Sequence, residues 1–339
     1  MNRPAKPAPP PILLERLDHA NDQVRALWRD QERDLGRRYG DPGLTLEADF
    51  PTGIGVWVAR TSDGRAVGAI AARWSTRDEL QPGDLELKRL WVSPDARGLG
   101  AAKALMRAGA AAAIQAGATR IVLETGHQQP EAIGLYQLLG YHRIDNYGDW
   151  AHDPETVCMA RDLPTRVLVI NGTMGAGKTT TAAAIHDILT ERGARAAYID
   201  ADSLCQATHA PADDPYHQGL LFDALTGAAS AFRKRGIGLM VVPRVVEDAG
   251  DRDRYARAFA TADAGPADVS IVRVTAAQEE RFARLDAREP EGYWQEFARH
   301  RTVELEASLN ALALDDAVVS TDIRDRLDVA ARVLDAAGW

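Results

Sequence analysis

One stretch of this sequence has the residue types and the spacing needed to bind a chain of phosphates. It fits the pattern G-x-x-x-x-G-K-[ST] and is called the P-loop below. Glycines let successive backbone N–H groups turn toward an anion, and the positive dipole end of a following helix adds to the attraction. The predicted nucleotide-binding residues are Gly172, Thr173, Met174, Gly175, Ala176, Gly177, Lys178, Thr179 and Thr180.

The sequence on either side of the P-loop supplies the two elements that such a loop joins. Residues 166–170 are rich in β-branched side chains and predict a buried strand, and residues 180–189 have apolar side chains at helical spacing. In that context Lys178 would contact the β- and γ-phosphates of ATP, and the Thr179 hydroxyl would bind Mg²⁺. The alternative is a glycine-rich turn that arose by chance and binds nothing.

Composition sets the broad class of the protein. A length of 339 residues, with 45% hydrophobic and 26% charged residues, is typical of a soluble protein with two full domain cores. The net charge of −9, without a basic tract, argues against nucleic-acid binding. No apolar run reaches transmembrane length, and the proline-rich tail, 1–11, is not a signal peptide, so we expect a cytoplasmic protein without membrane association. Cys158 and Cys205 indicate neither a disulfide nor a metal site.

The N-terminal half, 12–163, alternates strands and helices and carries a series of short motifs. Strands are expected at 12–17, 56–60, 66–74, 85–92 and 119–124, and helices at 22–38, 95–113 and 130–139. The strand that contains Glu86 leads into Arg97-Gly98-Leu99-Gly100-Ala101-Ala102, which fits [RQ]-x-x-G-x-[GA]. The motifs Gln129-Pro130-Glu131-Ala132, Leu135-Tyr136 and Leu139-Gly140-Tyr141 follow in order. This ordered set resembles the GNAT acetyltransferase superfamily, whose fold has a mixed, largely antiparallel sheet.

The resemblance implies an acetyl-CoA-dependent N-acetyltransferase and shows how the coenzyme would be bound. Backbone N–H groups at the start of the signature helix would bind its pyrophosphate, and small residues there let the backbone approach closely. The pantetheine arm would pair with a strand edge. The implied cofactor-binding residues are Leu90, Trp91, Val92, Arg97, Gly98, Leu99, Gly100, Ala101 and Ala102.

The same resemblance assigns the catalytic roles. Tyr136 would protonate the departing coenzyme thiolate, and the alternative is a tyrosine that only packs in the core. Glu86 would deprotonate an ammonium acceptor, directly or through water, and the alternative is a solvated or salt-bridged carboxylate. An acidic group beyond the tyrosine would favour a cationic amine, or it is a plain solvated loop; its members are Asp145, Asp149, Asp153 and Glu155.

The C-terminal half, 164–339, predicts a parallel sheet covered on both faces by helices. After the P-loop strand, further strands are expected at 196–199, 238–243, 269–274 and 318–320, with helices at 216–235, 251–261, 277–288 and 292–314. Residues 159–164 predict the junction between the domains, because a polar pair there is followed by a proline. Asp200 and Asp202 follow the second strand, at the end of the sheet where ligands bind.

An Ile-Asp-x-Asp run placed after a P-loop resembles P-loop small-molecule kinases such as adenylylsulfate, gluconate and chloramphenicol kinases. The resemblance implies that Asp202 accepts the proton of an attacking hydroxyl or holds Mg²⁺ through water, with Asp200 beside Thr179 as a metal ligand. The alternative is an aspartate that caps the next helix. Arg284 and Arg288 would bind the transferring phosphoryl group from a lid helix that also carries Arg281, or they form a salt-bridged face. Arg244 is a weaker candidate on the substrate side.

Together these patterns predict a bifunctional enzyme that joins a GNAT fold to a P-loop parallel-sheet domain. The N-acetyltransferase would act on a small amine and the ATP-dependent kinase on a small-molecule hydroxyl, with antibiotics or related metabolites as plausible acceptors. One alternative makes the P-loop half a nucleotide-gated regulator without a phosphoryl acceptor. A second makes either half a non-catalytic binding module. The identities of the acceptors and the oligomeric state stay open at this point.

Overall fold

The chain forms two compact units that divide between Asp162 and Leu163. The computed structural model describes residues 11–48, 50, 53–322 and 325–339. The predicted N-terminal tail, 1–11, lies outside the described residues except for Pro11. The division between the units lies one residue before the predicted domain boundary at 163/164.

The N-terminal unit is built on a sheet of seven strands in the order β1-β2-β3-β4-β5-β7-β6. Neighbouring strands run antiparallel except β4 and β5, which are parallel, so the predicted mixed and largely antiparallel sheet is confirmed. The strands are β1 (Leu13–Leu17), β2 (Gly53–Arg60), β3 (Ala66–Trp74), β4 (Asp84–Val92), β5 (Arg120–Gly126), β6 (His142–Arg143) and β7 (Thr156–Asp162). The helices are α1 (Asp22–Tyr39), α2 (Ala101–Gln115) and α3 (Pro130–Leu138).

Helix α1 shows how the local sequence produces this packing. The Asn21 side chain caps its N-terminus by accepting a hydrogen bond of 2.9 Å from the backbone N–H of Gln23. Its apolar stripe, Val24, Leu27 and Trp28, is buried in one core cluster with residues of β2 and β3. Arg38 in the last turn reaches across to the backbone oxygen of Gln128 at 2.9 Å. The helix is therefore placed over the sheet, beside the end of β5.

The division between Asp162 and Leu163 lies inside the predicted junction at 159–164, although the first four residues of that junction belong to a strand. Residues 156–162 form β7, which pairs with β5 over its whole length, and Met159 is fully buried. The polar pair Arg161-Asp162 forms the end of this strand, and Pro164 lies two residues beyond it. A buried strand with polar residues at its end resembles a linker in sequence, because burial by a partner strand 36 to 42 residues away leaves no local pattern.

The C-terminal unit is a sheet of five strands in the order β12-β11-β8-β10-β9. Every pairing is parallel, as predicted from the alternation of strands and helices. The strands are β8 (Arg166–Asn171), β9 (Ala196–Tyr198), β10 (Leu239–Pro243), β11 (Asp268–Thr275) and β12 (Ala317–Ser320). The helices are α4 (Lys178–Glu191), α5 (Ala201–Leu204), α6 (Gln218–Arg233), α7 (Asp251–Ala258), α8 (Gln278–Arg288), α9 (Tyr293–Leu312) and α10 (Arg326–Ala336).

Strand β8 is buried on both faces. Val167 and Val169 belong to a core cluster with residues of α6 and α7, whereas Leu168 and Ile170 belong to a second cluster with residues of α4 and α10. Helix α10 has no counterpart among the predicted elements, although its buried positions 329, 330, 333 and 334 recur at helical spacing. Among the described residues, no helix is both long and apolar enough to cross a membrane.

Candidate functional site

The N-terminal unit opens its sheet between β4 and β5. These strands pair only from Asp84 to Glu86, opposite residues 120–122, and then separate. On its other edge β4 contains one extra residue: Ala69 faces Trp91 and Ala71 faces Lys88. Arg89, inside this bulge, has a φ of 60°, a left-handed value that a non-glycine residue seldom adopts. The bulge and the separation together expose a strand edge inside the unit.

A cavity of about 410 Å³ lies at this opening. Side chains from the bulged part of β4, from β5 and from the segment after β6 line it. Of the residues predicted for the coenzyme, Leu90 lines the cavity, whereas Trp91 and Val92 are buried outside its lining. A contribution of Trp91 and Val92 to coenzyme binding would therefore come from the backbone of the strand edge.

Tyr136 projects from α3 into the lining of this cavity and is buried. Burial raises the pKa of its hydroxyl, and the nearby charge of Glu124 and the neighbouring Tyr141 raise it further. The hydroxyl is therefore protonated at neutral pH, which is the form that a general acid needs. The ring also packs at a tilt against Tyr141, with centroids 6.0 Å apart, so the core and the catalytic interpretations of Tyr136 are compatible.

Two glutamates on β4 and β5 differ in their access to the cavity. Glu86 is fully buried outside the lining, and its Oε2 accepts a hydrogen bond of 2.7 Å from Nε of Arg73. This arrangement matches the salt-bridged alternative for Glu86. Glu124 lines the cavity with Tyr136, and its Oε1 accepts a hydrogen bond from Lys88. One oxygen of each glutamate, Oε1 of Glu86 and Oε2 of Glu124, is buried without a hydrogen-bond partner among the described residues, so only the cavity lining distinguishes the two.

The signature loop forms a turn that ends at the N-terminus of α2. Gly98 and Gly100 have φ values of 84° and 89°, and a Cβ at either position would meet no atom within 4 Å. They are therefore needed for the turn itself and leave open space beside it. The first N–H groups of α2, from Ala101, have no partner within the helix and suit an anion.

The side chain of Arg97 holds the signature loop in place, whereas the prediction for this residue concerns its backbone N–H. Its guanidinium donates to Asp34 of α1 at 2.7 Å and to the backbone oxygen of Val92 at 3.2 Å. Burial would raise the pKa of Asp34, but the hydrogen bonds from Trp91 and Arg97 outweigh it and lower that pKa. Arg97 thus ties the loop to α1, and its backbone N–H donates to the backbone oxygen of Pro94 at 3.4 Å.

Three of the four predicted acidic residues lie at the cavity: Asp149, Asp153 and Glu155. Asp149 forms an ion pair of 2.9 Å with Arg77, and Asp153 accepts hydrogen bonds from the Thr156 hydroxyl and from the backbone of Glu155. Asp145 lies outside the lining. The acidic group is therefore divided between a cavity wall and an exposed loop.

In the C-terminal unit, the carbonyl groups of the P-loop are held by the surrounding elements. The oxygens of Met174, Gly175 and Ala176 accept hydrogen bonds from the side chains of Thr302, Arg284 and Thr321, at 3.2, 3.3 and 2.9 Å. In a trans peptide the N–H points opposite to the C=O, so the following N–H groups of Gly175 and Gly177 turn toward the inside of the loop. This is the orientation that an anion needs.

Two P-loop glycines are required by close backbone approaches. A Cβ on Gly172 would lie 2.3 Å from the backbone oxygen of Val274, and a Cβ on Gly175 would lie 2.6 Å from that of Arg281. Gly177 precedes the first residue of α4 with a φ of 96°, so the helix begins at the inner side of the loop. The sequence pattern thus reflects packing against β11 and α8 as well as ligand binding.

Lys178 and Thr179 line a cavity of about 800 Å³ that begins at the P-loop. Burial lowers the pKa of Lys178 to about 8, although the Asp202 carboxylate acts in the opposite direction. Its Nζ donates a hydrogen bond of 3.0 Å to the backbone oxygen of Thr173. A nucleotide phosphate would place a negative charge beside this partly desolvated ammonium. The residues present therefore fit a nucleotide.

The two aspartates after β9 have different surroundings. Asp200 is exposed outside the cavity lining and caps α5, where its Oδ1 accepts hydrogen bonds from the backbone N–H groups of Asp202 and Ser203. The capping alternative therefore describes Asp200. Asp202 lines the cavity with Lys178 and forms an ion pair with Arg244. Among the described residues, no three or more His, Cys, Asp or Glu gather as metal ligands. Mg²⁺ would thus rest on the nucleotide's phosphates, on Thr179 and on water.

The three arginines of α8 also differ in their surroundings. Arg281 is buried and donates to the Thr173 hydroxyl at 3.0 Å, so it supports the P-loop from behind. Arg284 lines the cavity and also pairs with Glu280, and Arg288 lines it while pairing with Glu289. Asp286 pairs with Arg299 of α9 instead. Arg284 and Arg288 therefore lie where a phosphate ligand could recruit them.

Several lining residues were missed in sequence. Glu124 and Lys88 lie on strands whose pattern indicates only burial, and no local motif marks either one. The lining also includes Tyr216 and Phe297, which lie outside any motif. The one sequence signal for Phe297 is an unusually aromatic segment at 293–297, near the start of a predicted helix.

Comparisons with known proteins match both halves of the chain to known families. Residues 22–141 match the acetyltransferase (GNAT) family, and residues 167–332 match the CobQ/CobB/MinD/ParA nucleotide binding domain. The second match supports a nucleotide-binding domain, and the predicted kinase class stays a prediction.

Individual relatives match the N-terminal unit. The N-acetyltransferase family 8 member 2 of Rattus norvegicus is 42% identical over 91 residues, which are 27% of this chain and 40% of the relative. The IAA acetyltransferase of Azospirillum brasilense is 31% identical over 157 residues, which are 45% of this chain and 99% of the relative. The chain spans about half of the length of the mammalian N-acetyltransferases it matches. A Bacillus subtilis acetyltransferase solved in complex with CoA has 18% identity and a TM-score of 0.33, covering 45% of this chain and 99% of its own.

Proposed function

Because this chain belongs, through its N-terminal unit, to the acetyltransferase (GNAT) family, we propose that it transfers the acetyl group of acetyl-CoA to the amine of a small molecule. The observation that carries the proposal is the cavity between β4 and β5, which Tyr136 and Glu124 line together. The amine nitrogen would attack the acetyl carbonyl carbon, and the bond from that carbon to the coenzyme sulfur would break. Glu124 would take the proton of the ammonium, and Tyr136 would give one to the thiolate.

The coenzyme would be bound by the signature loop and by the strand edge. The N–H groups of α2 from Ala101 face its pyrophosphate, and the open backbone of β4 near Leu90 offers hydrogen bonds to the pantetheine arm. The acceptor would enter beside Asp149, Asp153 and Glu155, whose carboxylates favour a cationic amine.

The test replaces the Tyr136 hydroxyl and retains the ring. Tyr136→Phe is expected to lower acetyl transfer by about 10²–10⁴-fold with the fold intact, measured as thiol release with a panel of primary amines. Tyr141→Phe is the matched control, because Tyr141 is also buried and lies outside the cavity lining. Equal turnover of both variants would remove Tyr136 from the reaction. No thiol release by the parent with any amine would oppose the proposed activity.

The P-loop unit supports a second function, ATP-dependent phosphoryl transfer to a small-molecule hydroxyl. The observation that favours it is that the Asp202 carboxylate lines the same cavity as Lys178 and the P-loop. Asp202 would accept the proton of the hydroxyl, whose oxygen attacks the γ-phosphorus while the bond to ADP breaks. Lys178, Arg284 and Arg288 would neutralise the phosphate charge, with Thr179 as a ligand of Mg²⁺.

Substitutions of Lys178 and of Asp202 should impair this reaction in different ways. Lys178→Ala is expected to weaken ATP binding and to stop ADP release, because the lysine contacts the phosphates in both ground and transition states. Asp202→Asn is expected to retain most ATP affinity while acceptor-dependent ADP release falls by about 10²-fold or more. Parent-like ADP release from Asp202→Asn would contradict the role of Asp202. ATP binding without acceptor-dependent ADP release in the parent would leave the regulator alternative.

A further inference from the structure

The part of the P-loop cavity outside the P-loop and α8 has its own charge balance. This part is called the acceptor side below. Its charged lining residues are three arginines and four carboxylates: Arg244, Arg254, Arg301, Asp202, Glu247, Asp248 and Asp251. Their formal sum, 3 − 4, is −1. The remaining lining, by contrast, carries Lys178, Arg284 and Arg288 and no carboxylate.

Each arginine of the acceptor side already has a carboxylate partner. Arg244 pairs with Asp202, and Arg301 pairs with Glu247. Arg254 lies 3.0 Å from Asp251 and 3.8 Å from Asp248. An acceptor with its own negative charge would have to displace one of these carboxylates and would meet a net negative wall. The charge balance therefore favours a neutral or cationic acceptor over an acid, a sugar phosphate or a nucleotide.

Aromatic side chains are exposed at the same side. Tyr216 and Phe297 line the cavity with 65% and 42% of their surface exposed. Phe297 continues into Tyr293 and Trp294, which are 70% and 67% exposed, with ring centroids 6.3 and 6.1 Å from that of Phe297. Exposed aromatic clusters of this kind mark binding sites, because each ring leaves apolar area in water until a partner covers it. The patch is continuous with the cavity through Phe297.

We propose that the phosphoryl acceptor is a neutral or cationic hydroxyl compound with an aromatic ring. The ring lies against Phe297 and Tyr216, and the hydroxyl reaches Asp202. Aromatic contacts supply affinity without a charge, and the paired arginines reject anions, so the two observations select the same class of compound. This assignment rests on the proposed phosphoryl transfer for its chemistry, but the binding of the ring can be measured without turnover.

The test compares a phenyl diol with two compounds that each differ from it in one feature. The three compounds are 3-phenylpropane-1,2-diol, propane-1,2-diol without the ring, and 3-phenyllactate with a negative charge. Binding to the full chain, saturated with a non-hydrolysable ATP analogue, is measured by calorimetry. The phenyl diol is expected to bind at least about tenfold more tightly than either of the others. Equal or tighter binding of 3-phenyllactate or of propane-1,2-diol, or no binding of the phenyl diol, would overturn the proposal.

Two variants test where the phenyl ring of the diol binds. Phe297→Ala is expected to weaken binding of the phenyl diol by about five- to tenfold, with Tyr216→Ala as an independent second variant. Leu220→Ala is the matched control, because Leu220 is also exposed and apolar but lies outside the cavity lining. Unchanged binding in both aromatic variants would overturn the site.

ADP release separates this proposal from the function on which it rests. If the phenyl diol binds through Phe297 but no hydroxyl compound releases ADP, phosphoryl transfer fails and the acceptor-side specificity stands. If 3-phenyllactate or propane-1,2-diol releases ADP with the higher kcat/KM, phosphoryl transfer stands and the proposed acceptor class fails.

Discussion

At the scale of single residues, burial distinguishes two glutamates that a strand pattern cannot. Glu86 is paired with Arg73 inside the sheet, whereas Glu124 is paired with Lys88 and lines the cavity together with Tyr136. A buried ion pair contributes to the fold, because removing one partner leaves an uncompensated charge. A carboxylate in the lining of a cavity can be reached by a ligand, and one buried outside the lining cannot.

The two glutamates should therefore respond differently to the same substitution. Glu124→Gln is expected to lower acetyl transfer by about 10²-fold or more with little change in stability, because the amide cannot take a proton. Glu86→Gln is expected to lower the free energy of unfolding by about 2 kcal/mol, because Arg73 loses one of its two charged partners and retains Glu47, while kcat changes little. Urea unfolding and thiol release on both variants check this. A loss of kcat confined to Glu86→Gln would restore Glu86 as the base.

Lys178 gives a prediction about pH. Its pKa of about 8 in the free protein should rise when phosphates bind, so nucleotide binding takes up protons in the window above and around pH 8. Calorimetry in two buffers of different ionisation enthalpy should show uptake of about half a proton at pH 8 and almost none at pH 6. Lys178→Arg should show none at either pH, because arginine stays charged. Buffer-independent enthalpies for the parent at pH 8 would contradict the lowered pKa.

At the scale of elements, the P-loop is shaped by the helices that pack on it. Arg281 and Arg284 of α8 and Thr302 of α9 bond to its residues, and the backbone of α8 leaves no room for a Cβ on Gly175. The loop geometry is thus a property of β8, α4, α8 and α9 together. A change on the loop should affect packing and ligand binding at once.

Two glycines with similar backbones separate these effects. Gly193→Ala, at a φ of 68° with no atom within 4 Å of the new Cβ, should cost about 1–2 kcal/mol in the free energy of unfolding. Gly175→Ala, at a φ of 75°, should cost more and should also weaken ATP binding, because its Cβ would lie 2.6 Å from the Arg281 oxygen. Urea unfolding and calorimetry measure both. Equal costs and unchanged ATP affinity would mean that the loop relaxes freely away from α8.

At the scale of the whole molecule, each unit has its own sheet, its own core and its own cavity. The described residues of the two cavities belong to separate units. This division is compatible with the two proposed activities being independent of each other. The regulator alternative instead requires that one site influence the other.

Substitutions in one unit and measurements in the other decide between these two arrangements. Lys178→Ala should abolish ATP binding and leave acetyl transfer within about twofold of the parent. Tyr136→Phe should abolish acetyl transfer and leave ATP binding within about twofold of the parent. Both reactions are measured on the full chain with and without the second unit's nucleotide or coenzyme. A change of acetyl transfer by more than about tenfold in Lys178→Ala would favour regulation over a second catalytic activity.

The local sequence by itself determined the parts of this protein that depend on short-range chemistry. The P-loop glycines, the signature turn at Gly98 and Gly100 and the parallel alternation of strands and helices could be predicted, because backbone conformation and hydrophobic periodicity are written in neighbouring residues. Most predicted strands and helices agree with the structure within a few residues. Strand β7 and helix α10 were not predicted. Strand β7 was missed because its burial depends on a distant partner.

Only the tertiary structure decided which charged and aromatic side chains share a cavity. The pairing of Asp202 with Arg244 joins positions 42 residues apart, and the pairing of Arg281 with Glu306 joins positions 25 apart. The side chain of Arg97 bonds to Asp34, 63 residues away. Likewise, only the tertiary structure places Glu124, Tyr216 and Phe297 in the cavity linings. Charge, burial and reach are set by what lies opposite in space, and no local spacing encodes that neighbour.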